Sequence, residues 1–356
     1  MIGIRIVTPA ALMFLAGLAT PAANAAEAAA PRPTVALAPV QDRAGDQRAA
    51  REVESALRAR IAEFARVVDA ATARDLLRSR RVRDLDAETP ERLRETARDL
   101  GADWLLSVIV HDAWRRGAPS LTVSARAYRG VTGELRWTGF EGASGLDSRT
   151  VLGLGEILEL DRLADRLADR LLADWRASGP EAGSSPEGRG AAVAIVPFDG
   201  LTPRRSAAAA EAVTEATRTA LHRLGLRQVA PGCTAEALRR QRGTGGRGVD
   251  ATSRRALRLA CGADLVLTGE VERYERLGAE FDPEPMVAIA ARLVDADTGR
   301  ILWTGAVERS GWDGQGLFRL GRVHSVGTLV KLTTMKLARR LRSTRSLRER
   351  WSEGAE

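Results

Sequence analysis

The chain has 356 residues, 44% hydrophobic and 28% charged, with 14 prolines, 34 glycines and 2 cysteines. This composition excludes wholesale disorder, a collagen-like repeat and a disulfide-dense miniature scaffold, and the length suits two domains of ordinary size. Lys plus Arg number 54 against 46 Asp plus Glu, a formal net charge of +8, yet only Lys331 and Lys336 are lysines. So arginine-weighted a balance, beside abundant alanine, points to a coding bias more than to a polyanionic partner.

The first 25 residues carry one positive charge, Arg5, then an apolar stretch from Ile6 to Ala19 broken by Thr8, Pro9 and Gly17, then Ala23-Asn24-Ala25. Small residues at positions −3 and −1 suit signal peptidase, so residues 1–25 read as an export leader cleaved after Ala25. The stretch is short for a membrane anchor, and no cysteine follows it to carry a lipid. The mature chain is therefore expected to be soluble and periplasmic or secreted. In that compartment Cys233 and Cys261 are free to form one disulfide, with buried free thiols as the alternative, and their spacing fits neither a CxxC motif nor a zinc site.

Beyond the leader the chain reads as two copies of one unit. Val35-Ala36-Leu37-Ala38-Pro39-Val40 returns as Val193-Ala194-Ile195-Val196-Pro197-Phe198, Gly101-Ala102-Asp103 as Gly262-Ala263-Asp264, and Thr132 to Gly139 as Thr298 to Gly305. The offset grows along the chain, as small insertions around 243–248 and 281–285 require. The expected repeats span 33–176 and 191–342, joined by a flexible Gly/Ser/Pro linker at 177–190 and followed by a basic tail at 343–356. The first copy lacks cysteine near Ala71 and at Leu100, which favours pairing of Cys233 with Cys261 inside the second copy.

Each copy predicts β-α-β-α-β-β-β-α, two tandem α/β (α+β sandwich) domains with mixed sheets. The apolar run before Pro39 or Pro197 suits an inner strand. A helix follows, with Val53, Leu57, Ile61 and Phe64 on one face in the first copy and Val213, Ala216, Ala220 and Leu224 in the second, stopped there by Gly225. Short strands at Val67-Val68 and Gln228-Val229 lead to an interrupted helical region ending at Gly-Ala-Asp. Three alternating segments come next, with Leu265, Leu267, Gly269 and Val271 sharing a face, then Val287, Ile289, Ala291 and Leu293, then Ile301, Trp303, Gly305 and Val307. Short turns make them an antiparallel meander. The last helix of the first copy has the stripe Leu160, Leu163, Leu167, Leu171 and Trp175, with Arg162–Asp165 and Arg166–Asp169 as i, i+3 pairs on its solvated flank.

Val193 to Phe198, Ala260-Cys261-Gly262-Ala263-Asp264 to Gly269, and Ala291 to Trp303 together resemble the envelope superfamily that includes the CsgG/HfaB secretion proteins, the LpoB activators of peptidoglycan synthases and the TolB N-terminal domain. The resemblance covers most of 190–342 and, more faintly, 33–176. It implies mixed α/β sandwiches that bind other envelope proteins without a catalytic centre or cofactor. The first copy departs from the pattern at Arg129-Gly130-Val131, which stands for Asp295-Ala296-Asp297, and at Val40, which stands for Phe198. The motif residues themselves have structural roles: a left-handed cap at Gly262, local amide bonding by Asp264, and a tight turn from Asp295 to Gly299.

Enzyme chemistry is not visible. His111, His222 and His324 fall in unrelated elements, 243–248 lacks the Gly-Lys-Ser/Thr ending of a phosphate loop, and no G-x-S-x-G occurs. No catalytic, cofactor or metal residues are expected, and export disfavours nucleic acid. Lys331, Lys336, Arg339, Arg340, Arg342 and Arg345 crowd the C-terminal helix; they read either as a contact for an anionic envelope surface or as cations complementing the helix dipole. The expectation is a non-enzymatic periplasmic interaction or scaffold protein partnered by other envelope proteins. A component of a CsgG-like outer-membrane export assembly is the alternative, and the oligomeric state stays open.

Overall fold

Five of the six strands of the first sheet of this computed structural model have a counterpart strand in the second. The structure describes residues 32–149, 154–177, 190–200, 206–241, 249–279, 282–314, 322–344 and 347. The leader with Ala25, nearly all of the linker, the 243–248 insertion, Arg345 and most of the basic tail lie outside the described residues.

The first half runs β1 (Thr34–Leu37), β2 (Gln41–Asp42), α1 (Gln47–Ala62), β3 (Arg66–Val67), α2 (Ala70–Ser79), α3 (Pro90–Leu100), β4 (Trp104–Trp114), β5 (Ser120–Arg129), β6 (Leu135–Ser144) and α4 (Leu160–Ala177). The second runs β7 (Val193–Ile195), β8 (Asp199–Gly200), α5 (Ser206–Arg223), α6 (Pro231–Arg240), α7 (Ala251–Cys261), β9 (Leu265–Ala279), β10 (Asp282–Asp295), β11 (Ile301–Ser310) and α8 (Val326–Ser343). Sheet A is ordered β3-β1-β4-β5-β6 with β2 also on β4; sheet B is ordered β7-β9-β10-β11 with β8 also on β9. Gln228, expected in a short strand, makes a single parallel bridge to Val193, where β3 stands beside β1 in sheet A. The fold is mixed α/β, with parallel pairing at the inner strand and an antiparallel meander after it.

The irregularities match too. A bulge falls between Val110 and Asp112 where β4 meets β5, and between Val271 and Arg273 where β9 meets β10. A second falls between Ala127 and Tyr128, and again between Leu293 and Val294. The latter corrects one strand face: the register shift turns Ile301 out to solvent at 54% exposure, and Leu302 joins Trp303 and Val307 against the core.

Local chemistry explains the element ends. Asp46 caps α1 through the amides of Arg48 and Ala49; Thr89 with Pro90 opens α3, and Asp250 caps α7. Gly101 and Gly262 close α3 and α7 at φ 57° and 64°, a left-handed cap that a Cβ would strain. Asp264 does not bond locally as expected: it accepts from Ala192 N, just ahead of β7, as Asp103 accepts from Thr34 N, the first amide of β1, both at 2.8 Å, so each ties its inner strand beside the meander. Asp295 does serve its own turn, accepting from the amides of Asp297 and Thr298.

Helices α1 and α4 cover one face of sheet A. Val53, Leu57, Ile61, Leu163, Leu167 and Leu171 are buried there, each contributing about 1.5–3 kcal/mol. Trp175 meets Trp104 edge to face and Trp137 at a tilt, with centroids 5.9 Å apart. The outer flank of α4 is charged, but its pairs are Arg162 with Glu159 and Asp169 with Arg60 of α1, in place of the i, i+3 pairs expected within the Asp-Arg run.

The helices of the second half, α5 and α8, lie between the two sheets. One side packs Val213, Ala216, Ala220, Leu329, Val330 and Leu337 on sheet B, and Phe140 of sheet A reaches into the same core. The other side meets the polar face of β4, β5 and β6. A helix covered on both sides cannot keep a charged flank, and the sequence answers with small and hydroxyl residues. Thr214 and Thr217 donate to carbonyls one turn back at 2.7 Å, as do Thr333 at 2.7 Å and Thr334 at 2.9 Å. The approach of α8 to β6 is close enough that a Cβ on Gly142 would overlap the backbone of Gly327 and Thr328. Because those atoms are main chain, neither side can yield. Gly142→Ala is expected to lower stability by about 1–3 kcal/mol, read as a fall in the urea midpoint at unchanged slope.

Candidate functional site

The structure brings Cys233 and Cys261 together in a disulfide, Cα atoms 5.8 Å apart, tying the first turn of α6 to the last of α7. The C-terminal cations separate. Lys331 turns inward to pair with Glu141 of β6 and so is not part of an outer basic patch. Arg340 donates to the carbonyl of Ala306 at 3.0 Å, while Lys336, Arg339 and Arg342 are exposed. The three histidines stay apart: His111 is on β4, His222 ends α5, and His324 precedes α8. No group of His, Cys, Asp and Glu among the described residues is arranged to hold a metal ion.

The densest ionisable cluster is one that sequence reasoning missed. On the polar face of sheet A, Arg126 of β5 sits between Asp86, on the 3₁₀ turn Leu85–Ala87, and Glu215 of α5. Its Nη1 donates to Asp86 Oδ2 at 2.8 Å and its Nε to Glu215 Oε2 at 2.8 Å. Tyr128 Oη donates to Asp86 Oδ1 at 2.5 Å, and Ser107 Oγ to Asp86 Oδ2 at 3.0 Å. Arg218 stands 3.7 Å from Glu215. Asp86, Arg126, Glu215 and Arg218 are all buried, and their formal charges cancel. Burial opposes ionisation of Glu215, but the Arg126 and Arg218 guanidiniums outweigh it and hold the carboxyl below the usual range.

Around this cluster the halves meet through further polar contacts. Thr138 Oγ1 donates to Thr219 Oγ1 at 3.2 Å, Thr328 Oγ1 to the Gly142 carbonyl at 2.9 Å, and Arg276 of β9 to Ser120 Oγ at 2.8 Å while also pairing with Asp112. His111 Nε2 lies 2.8 Å from Ser124 Oγ. Burial pushes the His111 imidazole down to about 4 from an ordinary 6.5, so it is neutral in the fold at pH 7. The joint is buried, and its two guanidiniums balance its two carboxylates. One signal in the sequence pointed to it. Arg126 lies amid Ser and Thr on the face of β5 that alternates with Leu121, Val123, Ala125 and Ala127, and Arg292 sits between Thr268 and Thr304 in sheet B as Arg126 does between Ser107 and Thr138.

Residues 189–341 match the model of the GNA1162-like lipoprotein family. No curated protein matches the chain. Among solved structures, lipoprotein GNA1162 from Neisseria meningitidis is 21% identical, covering 42% of this chain and 99% of that one, at a TM-score of 0.31. The PelC dodecamer from Paraburkholderia phytofirmans is 21% identical over 42% of this chain and 86% of its own, at 0.28. The LpoB C-terminal domain from Salmonella enterica is 16% identical over 35% and 87%, at 0.24.

Two outcomes follow from the joint. Arg126→Met leaves Asp86 and Glu215 buried without the cation between them and is expected to cost about 3–5 kcal/mol in chemical denaturation. His111, neutral in the fold and protonated in the unfolded chain below pH 6.5, makes stability fall as pH drops from 6.5 toward about 4, below which both states carry the proton. That loss amounts to about 3 kcal/mol over the window. Denaturation midpoints measured from pH 7 to 4 should show a shallower decline in His111→Gln than in the parent chain.

Proposed function

We propose that this chain is a non-enzymatic interaction protein of the cell envelope, built by tandem duplication of one α/β unit into repeats at 33–176 and 191–342. The observation that carries the envelope assignment is the match of 189–341 to a family of lipoproteins. Duplication is supported by the common strand order, the two bulges repeated in register, and the aspartate that ties each inner strand to its meander. Gly139 and Gly305 add a further repeated detail, each lying under the ring of the tryptophan two residues before it.

A binding role is supported by how the ionisable groups are used. The densest buried cluster is consumed in joining the halves, and much of the remaining polar chemistry is spread over open helix and sheet faces that suit protein partners. Other envelope proteins are the partner class, in keeping with the LpoB-type resemblance. Lys336, Arg339 and Arg342 offer a smaller contact to an anionic envelope surface. Neither cysteine of this sequence is free to carry a lipid, because each is bonded to the other.

The test follows the full chain, tagged at its C-terminus, in a cell with two membranes. It is expected in the envelope fraction, protected from added protease until the outer membrane is permeabilised, and crosslinked in place to an envelope protein. Recovery in the cytosol, protected until lysis, overturns the reading.

A further inference from the structure

The joint between the halves covers sheet A with helices from the second half, but the corresponding part of sheet B is bare. Along β9, β10 and β11 the outward side chains Glu270, Glu272, Arg292, Thr304, Ala306 and Glu308 are exposed. Position for position this face repeats the covered one. Ser107, Arg126 and Thr138 lie side by side across sheet A, and Thr268, Arg292 and Thr304 lie side by side across sheet B. Glu272 occupies the bulge that His111 occupies, and Glu308 stands where Gly142 meets α8.

The complementary element, in the first half of the chain, has an exposed flank of its own. Helices α1 and α4 are the counterparts of α5 and α8, and their outer flanks, with Arg48, Arg51, Ser55 and Arg162, are exposed. Arg51 holds the place of Glu211, Ser55 that of Glu215, and Arg162 that of Thr328. Within the chain, acidic Glu211 and Glu215 of the helix face Arg43 and Arg126 of the first half. At the bare surfaces Arg51 stands on the helix where Glu211 stood, and Glu270 and Glu272 stand on the sheet, while Arg292 keeps the sign of Arg126. Among the described residues Arg51, Glu270 and Glu272 have no ion-pair partner, whereas Glu308 pairs with Arg273, Arg48 with Glu52 and Arg162 with Glu159.

We infer that the internal joint is repeated between chains: the open face of sheet B takes α1 and α4 of a second copy, head to tail. Such a contact uses two different surfaces, so it propagates, closing into a ring where the rotation allows and into a filament otherwise. It is weaker than the internal joint, because charged side chains stand where Gly142 and Gly327 let backbones touch, and because Ser55 offers Arg292 no carboxylate. Salt therefore loosens it. The inference rests on the joint and on the charges at these two surfaces and is independent of the envelope assignment.

Sedimentation velocity on the folded full chain provides the test. At low salt the parent chain is expected to form concentration-dependent species larger than a monomer, dispersing at high salt. Glu270→Arg with Glu272→Arg should weaken association at least about tenfold, and so should Arg48→Glu with Arg51→Glu, with circular dichroism unchanged. Mixing the two variants is expected to restore association, because each variant's unaltered surface meets the other's and the two reversed surfaces are again opposite in charge. A parent chain monomeric at every concentration and salt, association indifferent to both double variants, variants that stay apart on mixing, or a sheet face that instead takes a different envelope protein would each overturn the inference.

Discussion

The Arg126 guanidinium holds a carboxylate from each half of the chain, and the rest of the architecture depends on that joint. Asp86 belongs to the first half and Glu215 to the second, so the cluster is complete only when α5 lies against β4, β5 and β6. Buried charges of this kind contribute little net stability over an apolar equivalent, yet they penalise any other arrangement heavily, because displacing one partner strands the others away from water. The cluster therefore fixes how the halves dock more than how tightly. Tightness comes from the glycine contact between β6 and α8 and from the hydrophobic core that Phe140 shares with the second half.

The same joint explains why two homotypic helix pairs have such different sequences. Helices α1 and α4 bury one stripe and carry Arg, Asp and Glu elsewhere. Helices α5 and α8 lie between the sheets, so alanine and threonine replace much of the charged flank. The charges kept in the joint, Glu211, Glu215, Arg218 and Lys331, are paired, and the exposed cations of α8 gather toward its C-terminal end. Hydroxyls that bond back to their own helix need no outside partner, which is how polar residues are accommodated between two sheets without loss.

Much of the fold was legible. Periodicity marked the helices, alternation marked the meander, and glycine after Leu100 and Cys261 marked two helix ends. Where reading failed, the deciding contact lay far away in sequence. Asp264 bonds Ala192, just ahead of β7; Asp169 pairs with Arg60 on another helix; and Lys331, one of a run of cations, is drawn inward by Glu141 across 190 residues. Ile301 faces water because of a bulge whose presence no alternation pattern reveals.

By itself the sequence determined most of the content of each half: which segments become strands or helices and where several of them stop, since these follow from neighbours within a few residues. Only the tertiary structure decided that the halves share a joint, that Arg126 is sealed inside it while Arg292 lies open, and that one sheet is covered while the other is bare. Equivalent residues acquire different fates because burial and charge pairing are set by what packs against a face, and local pattern carries no record of that.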